Sequence, residues 1–275
     1  RNGVWNKVRV EAIGSSIRTW VNGMQCTDLV DNLTASGFIG LQVHSVGDQD
    51  VDKEIKWRNM KILTQHPEMY RWETDPTVPE VSFLVNQLSE REKREGWRLL
   101  WDGKTAKGWK GALKDNFPES GWEMKDGVLT VLQSGNGGDI ITEEQFANFE
   151  LQLQFKITEG ANSGIKYFVS PELLKSGSAI GAEFQLLDDQ RHPDAKMGVK
   201  GNRTIGSLYD LIAPENLSIP GRGKQFKGIN AWNEARIISK DGKVEHWLNG
   251  KMAVTYEFGS QHLDSLFQKS KFVDY

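Results

Sequence analysis

A duplicated hairpin signal constrains this chain more than any other feature. Trp5-Asn6-Lys7-Val8-Arg9-Val10 is followed by Trp20-Val21-Asn22-Gly23, and Trp232-Asn233-Glu234-Ala235-Arg236-Ile237 by Trp247-Leu248-Asn249-Gly250, with 15 residues from Trp to Trp in both copies. Self-similarity of this kind marks a duplicated structural unit. Each copy reads as two short strands with an Asn-Gly pair after the second, and Asn-Gly tolerates the positive φ of a tight hairpin turn. The surroundings of the copies differ. Gly37–Ser45 and Ile55–Ile62 follow the first and read as two further strands, whereas about 135 residues of strand-rich sequence precede the second. The chain therefore reads as the tail of one domain joined to most of another: 1–66, the C-terminal part of a first repeat; 67–95, a linker; 96–275, a second repeat lacking its final strands.

Pro67, Pro76 and Pro79 punctuate the linker, and Ser89 followed by Glu92 has the spacing of a capping box, which predicts a short helix over about 89–95. Elsewhere the pattern predicts strands over 127–132, 149–157, 164–169, 182–187, 207–211, 235–238 and 244–248. Many short strands with little helix predict an all-β, antiparallel two-sheet sandwich of jelly-roll type. The segment 37–63, from this chain or a neighbouring copy, is expected to complete the sheet edges of the second repeat, by strand exchange or in a homodimer.

Composition excludes several classes of function. The net charge of −3 is balanced and suggests neither nucleic acid nor an anionic membrane as partner. No apolar run is long enough to span a bilayer. Cys26 is the single cysteine, so neither an intrachain disulfide nor a multi-cysteine metal site can form. Phosphate loops, nucleotide fingerprints and Ser nucleophile elbows are absent.

The chemistry concentrates in Gly181-Ala182-Glu183-Phe184-Gln185-Leu186-Leu187-Asp188-Asp189-Gln190-Arg191-His192-Pro193-Asp194. Strand alternation puts Ala182, Phe184 and Leu186 on one face and Glu183 with Gln185 on the other, about 7 Å apart. Asp188 lies about 16 Å along a straight strand and on the opposite face, a poor spacing for the paired carboxyls of an ordinary glycosidase. His192 has an imidazole pKa suited to proton transfer at neutral pH; it equally suits capping of its own turn. Arg203 fits either an anion-stabilising role or a salt bridge pinning its loop. Tyr209 fits either a site or a core position with a satisfied hydroxyl. Asn162 in Asn162-Ser163-Gly164 suits paired sugar hydroxyls and also simple turn formation. Trp247, beside Glu245 and opposite Val244 and Leu248, offers a stacking platform, as Trp20 beside Arg18 does in the first copy. Lys166 is a plausible donor, and His44 follows Gln42 on one strand face. No metal-ligand spacing is present and no cofactor is expected, although carboxylate and imidazole near Asp188 and His192 also suit a divalent cation.

Gly96-Trp97-Arg98-Leu99-Leu100-Trp101-Asp102-Gly103-Lys104 with Gly108-Trp109 resembles the opening of the DUF1080 family of 3-keto-disaccharide hydrolases. The resemblance continues through Trp122 and Asp126-Gly127, Asn148-Phe149-Glu150, Asn162-Ser163-Gly164-Ile165, Glu183-Phe184-Gln185, Gly206-Ser207-Leu208-Tyr209-Asp210 and Trp232-Asn233 to Leu248-Asn249-Gly250. Gly40-Leu41-Gln42-Val43-His44 and Arg58-Asn59 resemble the closing strands of the same family. The resemblance implies a concanavalin-like jelly roll acting on glucosides or disaccharides in the periplasm or at the surface of a bacterium. Applied to these residues, it implies cleavage of a 3-keto-glycoside by elimination and hydration. Glu183, His192 and Asp188 are the catalytic candidates, and Asn162, Lys166, Gln185, Arg203, Tyr209, Trp247 and His44 the substrate-binding ones. The alternatives are a non-catalytic carbohydrate-binding module on the same fold and a conventional glycosidase using Glu183 with one Asp.

Overall fold

The computed structural model describes residues 3–42, 54–133, 136–175, 178–215 and 225–273. The chain divides into two compact units, Arg1–Lys104 and Thr105–Tyr275. Among the described residues no helix is long and apolar enough to cross a membrane.

In the first unit, β1 (Val8–Ile13), β2 (Ser16–Val21) and β3 (Met24–Val30) form an antiparallel meander, and β4 (Glu80–Ser82) adds to β3 in parallel. The helix α1 (Glu90–Arg94) carries both halves of the predicted capping box: Ser89 accepts from the Glu92 N–H, and Glu92 accepts from the Ser89 N–H. The described residues of 37–42 and 54–63 form no strand, contrary to expectation. Their apolar side chains, among them Phe38, Ile39 and Ile55, are largely exposed, so no apolar layer rewards their extension into a ladder. Trp20 also departs from its expected role. Trp72 lies edge-on against it (5.6 Å between ring centroids), and Trp20 is 2% exposed rather than an open platform.

The second unit is an all-β sandwich. Small pairs come first: β5 (Trp109–Gly111) with β8 (Ile140–Thr142), and β6 (Trp122–Lys125) with β7 (Val128–Val131). One main layer is the antiparallel sheet of β9 (Phe149–Phe155), β12 (Asn233–Lys240), β13 (Lys243–Leu248) and β14 (Lys251–Glu257), in the order β14-β13-β12-β9. The other is the hairpin of β10 (Asn162–Lys175) and β11 (Ser178–Leu187). The predicted strand at 207–211 is shorter and less regular: Leu208 bridges to Phe184, and the chain then folds back so that Leu208 also bridges to Ile212. The helix α2 (Gln261–Phe267) seals one part of the core with Leu263.

The two hairpin copies share their local geometry. The Asn22 side chain accepts from the Lys7 N–H (2.9 Å) and the Asn249 side chain from the Glu234 N–H (2.8 Å). Both asparagines have positive φ (52° and 48°), and both copies bulge immediately before the tryptophan.

Alternation explains the core. Ala235 and Ile237 on β12, Val244, His246 and Leu248 on β13, and Val254 and Tyr256 on β14 face Phe184 and Leu186 of β11 and Tyr167 of β10. His246 is fully buried there. Its Nε2 lies 2.7 Å from the Tyr167 hydroxyl, which lies 2.7 Å from that of Tyr256, and its Nδ1 faces the Gly206 carbonyl (3.3 Å). Desolvation lowers the His246 pKa to about 4, against the pull of the Gly206 and Ser207 backbone. The folded chain refuses a proton that the unfolded chain accepts near pH 6.5, so the stability contributed by neutral His246 is present above pH 6.5 and lost as the pH falls toward 4. His246→Gln is expected to lower the urea midpoint at pH 7.5 and to flatten the acid side of the stability profile, measured by urea titration from pH 4 to 8.

Candidate functional site

The pleat of β11 sends Ala182, Phe184 and Leu186 toward the core and Glu183 with Gln185 to the other face, as alternation predicts. In the β10–β11 register Lys166 stands opposite Glu183, and Gly164 opposite Gln185. The Glu183 side chain leans across Gly164: a Cβ built on that glycine would sit 1.9 Å from Glu183 Oε1. Only a residue without a side chain leaves the carboxyl room to lie flat on the sheet. Gln185 supports it from beneath. In the amide orientation that satisfies both ends, its nitrogen donates to the Ser163 carbonyl (2.9 Å) and to Glu183 Oε1 (3.2 Å), while the other end faces Asn162 (3.2 Å).

Two further segments bring charge to this face. Gly206–Tyr209 runs along β11, with Gly206 N–H donating to the Gln185 carbonyl (2.8 Å) and Tyr209 N–H to that of Glu183 (3.0 Å). Tyr209 is thereby set beside Glu183; its hydroxyl donates to Asp194 Oδ2 (2.7 Å) and accepts from Lys271 Nζ (2.9 Å). Arg203 lies between two carboxylates, with Nε on Asp210 (2.6 Å) and a terminal nitrogen on Asp194 (2.8 Å). On the other flank Lys166 Nζ pairs with Asp139 (2.7 Å) and donates to the Ala179 carbonyl (3.0 Å).

These surroundings shift the titrating groups. Desolvation raises Glu183 to about 7; Lys166 and Lys271 oppose the rise, and Asp139 and Asp194 add to it. Burial alone would raise Asp194 too, but hydrogen bonds from Tyr209 and Arg203 outweigh it and hold that carboxyl below its usual range. Desolvation and the bond to Asp194 push the Tyr209 phenol well up. Glu183 is thus able to gain and lose a proton near neutral pH, beside an Asp194 held ionised.

Several residues expected in the site have other duties. Asp188 is buried on the opposite side of the strand. Its carboxylate accepts from the N–H groups of Gly160 (2.8 Å), Gln190 (3.1 Å) and Arg191 (3.3 Å), and the Gly160 bond leads in holding its pKa low. His192 caps the short 3₁₀ turn Pro193–Lys196, its Nδ1 accepting from the Asp194 N–H (3.2 Å). Those atoms are engaged by backbone, and among the described residues no cluster of three or more His, Cys, Asp or Glu side chains has metal-binding geometry. A cleft of about 360 Å³ beside this turn, lined by Asp188, Phe226 and Ile229 among others, is a different place from Glu183. Trp247 lies on the outer face of the β9-β12-β13-β14 sheet, bonded to Glu245 (2.7 Å) and under Arg236 (5.6 Å), with the core between it and Glu183. Gln185 is 1% exposed, behind the carboxyl rather than open to a ligand. Lys166, Arg203 and Tyr209 do join Glu183, with Asn162 behind them, and His44 lies outside the described residues. Asp139, Asp194, Asp210 and Lys271 complete the cluster without having been singled out as site residues. Asp194 carried a signal as a titratable residue in the turn after β11, and Asp210 as the last residue of the Gly206–Asp210 motif.

The family model described as the 3-keto-alpha-glucoside-1,2-lyase-like domain matches residues 1–63 and 96–267. The chain belongs to this family. A 3-keto-disaccharide hydrolase of Bacteroides thetaiotaomicron is 35% identical over an alignment of 195 positions that covers 65% of this chain and 64% of the relative, so the match spans somewhat under two thirds of that protein. Among solved structures, a "putative glycosyl hydrolase" of Parabacteroides distasonis superposes with a TM-score of 0.59 at 32% identity, over 69% of this chain and 85% of that one. In this member of the 3-keto-alpha-glucoside-1,2-lyase-like family, the matched span contains Glu183, Gly164 and the Arg203–Tyr209 segment and ends before Lys271.

A carboxyl raised from 4.5 to about 7 favours the folded state most when protonated. Its stabilising contribution is full below pH 4.5 and is lost as the pH rises through 7. Glu183→Gln is therefore expected to melt higher than the wild type at pH 8 and level with it near pH 4.5, by thermal unfolding at the two pH values. Gly164→Ala should displace the carboxyl and return its titration toward the ordinary carboxylate range, read by carboxyl carbon NMR.

Proposed function

We propose that this chain cleaves 3-keto-glycosides by elimination, with Glu183 as the base, followed by hydration of the product. The observation that carries the reading is a carboxyl seated on Gly164, poised near neutral pH and flanked by cations. A ketone at C3 acidifies the C2 proton. The Glu183 carboxylate takes that proton, and the C2–H electron pair moves into a C2–C3 double bond with negative charge on the C3 oxygen. The charge then returns, the C1–O bond breaks with formation of a C1–C2 double bond, and the leaving oxygen takes a proton from Glu183. The products are an unsaturated 3-keto sugar and the free alcohol; water adding across C1–C2 completes a net hydrolysis. A base with a pKa near the working pH serves both proton transfers.

The family and the Bacteroides thetaiotaomicron relative support the substrate class. The geometry supports chemistry over simple binding: titratable groups converge on Glu183, whereas Trp247, the candidate stacking platform, lies across the core. A two-carboxylate glycosidase using Asp188 is disfavoured because that carboxylate caps its own turn.

The test is to offer the intact chain a 3-keto-glucoside and its unoxidised parent. Cleavage of the keto sugar alone is expected; cleavage of the parent alone would sink the elimination mechanism. Glu183→Gln keeps the shape of the side chain and should slow turnover by about 10²–10⁴-fold while abolishing exchange of the C2 proton with deuterated water, followed by proton NMR.

A further inference from the structure

Among the described residues, charge balance around Glu183 singles out one cation. Arg203 is neutralised by Asp194 and Asp210 on two sides, and Lys166 by Asp139. The one proton of the Tyr209 hydroxyl is held by Asp194. The Lys271 ammonium instead donates to a neutral oxygen, that of Tyr209 (2.9 Å), and lies over the same ring (4.1 Å to its centroid). An ammonium has three protons, so that bond leaves two for other acceptors. Its place is fixed by the backbone rather than by the side chain. Lys271 N–H donates to Asp210 Oδ2 (2.9 Å), Phe272 packs edge-on against Tyr209 (6.4 Å between centroids), and Ser270 Oγ accepts from the Phe272 N–H (3.1 Å). The segment after α2 thus delivers a cation to the face that carries Glu183.

We infer that Lys271 is a catalytic residue of this site, its ammonium stabilising the negative charge that develops on the substrate's C3 oxygen while Glu183 holds the C2 proton. The inference rests on the elimination reading and names the group that reading still lacks. The enolate places new negative charge on a defined oxygen, and a cation held in place beforehand stabilises such charge without the reorganisation that water would need. Tyr209 is then a positioning residue: it accepts from Lys271 and is itself fixed by Asp194. Partial burial and the nearby Arg203 charge lower the Lys271 pKa, while Glu183, Asp194 and Asp210 favour its charged form.

The experiment uses the full chain and methyl 3-keto-glucoside. Lys271→Met is expected to lower kcat by about 10²–10³-fold with a much smaller change in KM, since the interaction forms in the transition state. Circular dichroism should match the wild type, because the anchoring N–H of residue 271 is retained. Lys271→Cys should be similarly impaired and regain turnover after alkylation with 2-bromoethylamine, which rebuilds a side-chain ammonium; the same treatment of the wild type is the control for Cys26. A lysine with a purely structural role would instead show itself in the circular dichroism and melting of Lys271→Met. A Lys271→Met kcat within about threefold of a wild type that cleaves the keto sugar overturns the role of Lys271 alone. A wild type that neither cleaves the keto sugar nor exchanges its C2 proton overturns the elimination reading and this role with it.

Discussion

The two-residue period of β11 ties the chemistry of this molecule to its packing. Phe184 fills the sandwich at 0% exposure because it alternates with Glu183 and Gln185, and those two reach the opposite face for the same reason. A slip of one residue would put a carboxyl among Ile237, Val244 and Leu248 and a phenyl ring in the place of Glu183. The apolar core therefore fixes the register of the site. The hydrogen bonds from Gly206 and Tyr209 to β11 carry that register to the next segment, so the phenol is placed by the same alternation.

Around this frame, charge is arranged so that one group is left adjustable. Asp194 is held ionised by Arg203 and Tyr209, and Lys166 is paired with Asp139. Glu183 shares the face with these groups but is held chiefly by a neutral amide, that of Gln185, and by a glycine that gives it room. Among the described residues no direct ion pair repays its desolvation, and its pKa rises in consequence. Such a group costs stability when charged, a pattern common where function rather than packing decides the residue.

The parts of the site carried by local pattern were legible in the sequence. Alternation alone placed Glu183 beside Gln185 and opposite Phe184, and Trp247 beside Glu245. The capping box at Ser89 and the Asn-Gly turns are local as well, and each forms. What pattern could not supply was partnership at a distance. Asp139, Asp210 and Lys271 reach the cluster through loops whose course depends on the folded sandwich. The duties of Asp188 and His192 depend on which backbone N–H groups point at them, something residue type does not disclose. The 37–63 segment has a strand-like composition, yet β-propensity expresses fit to a pleated, half-buried surface, and the described part of that segment has none.

The matched geometry of the two Trp…Asn-Gly hairpins bears on the order of folding. The same turn, bulge and asparagine bond recur in a meander bare on one face and in a closed sandwich, so the motif draws its shape from its own sequence. Hairpins close in about 1–10 μs, much faster than pairings that wait on the closure of long loops. In the second unit, the β12–β13 hairpin is accordingly expected to form early, before the longer-range pairing with β9 and the packing of the β10–β11 layer. The face that carries Glu183, assembled from segments far apart in the chain, is then expected among the last parts of the molecule to acquire its native form.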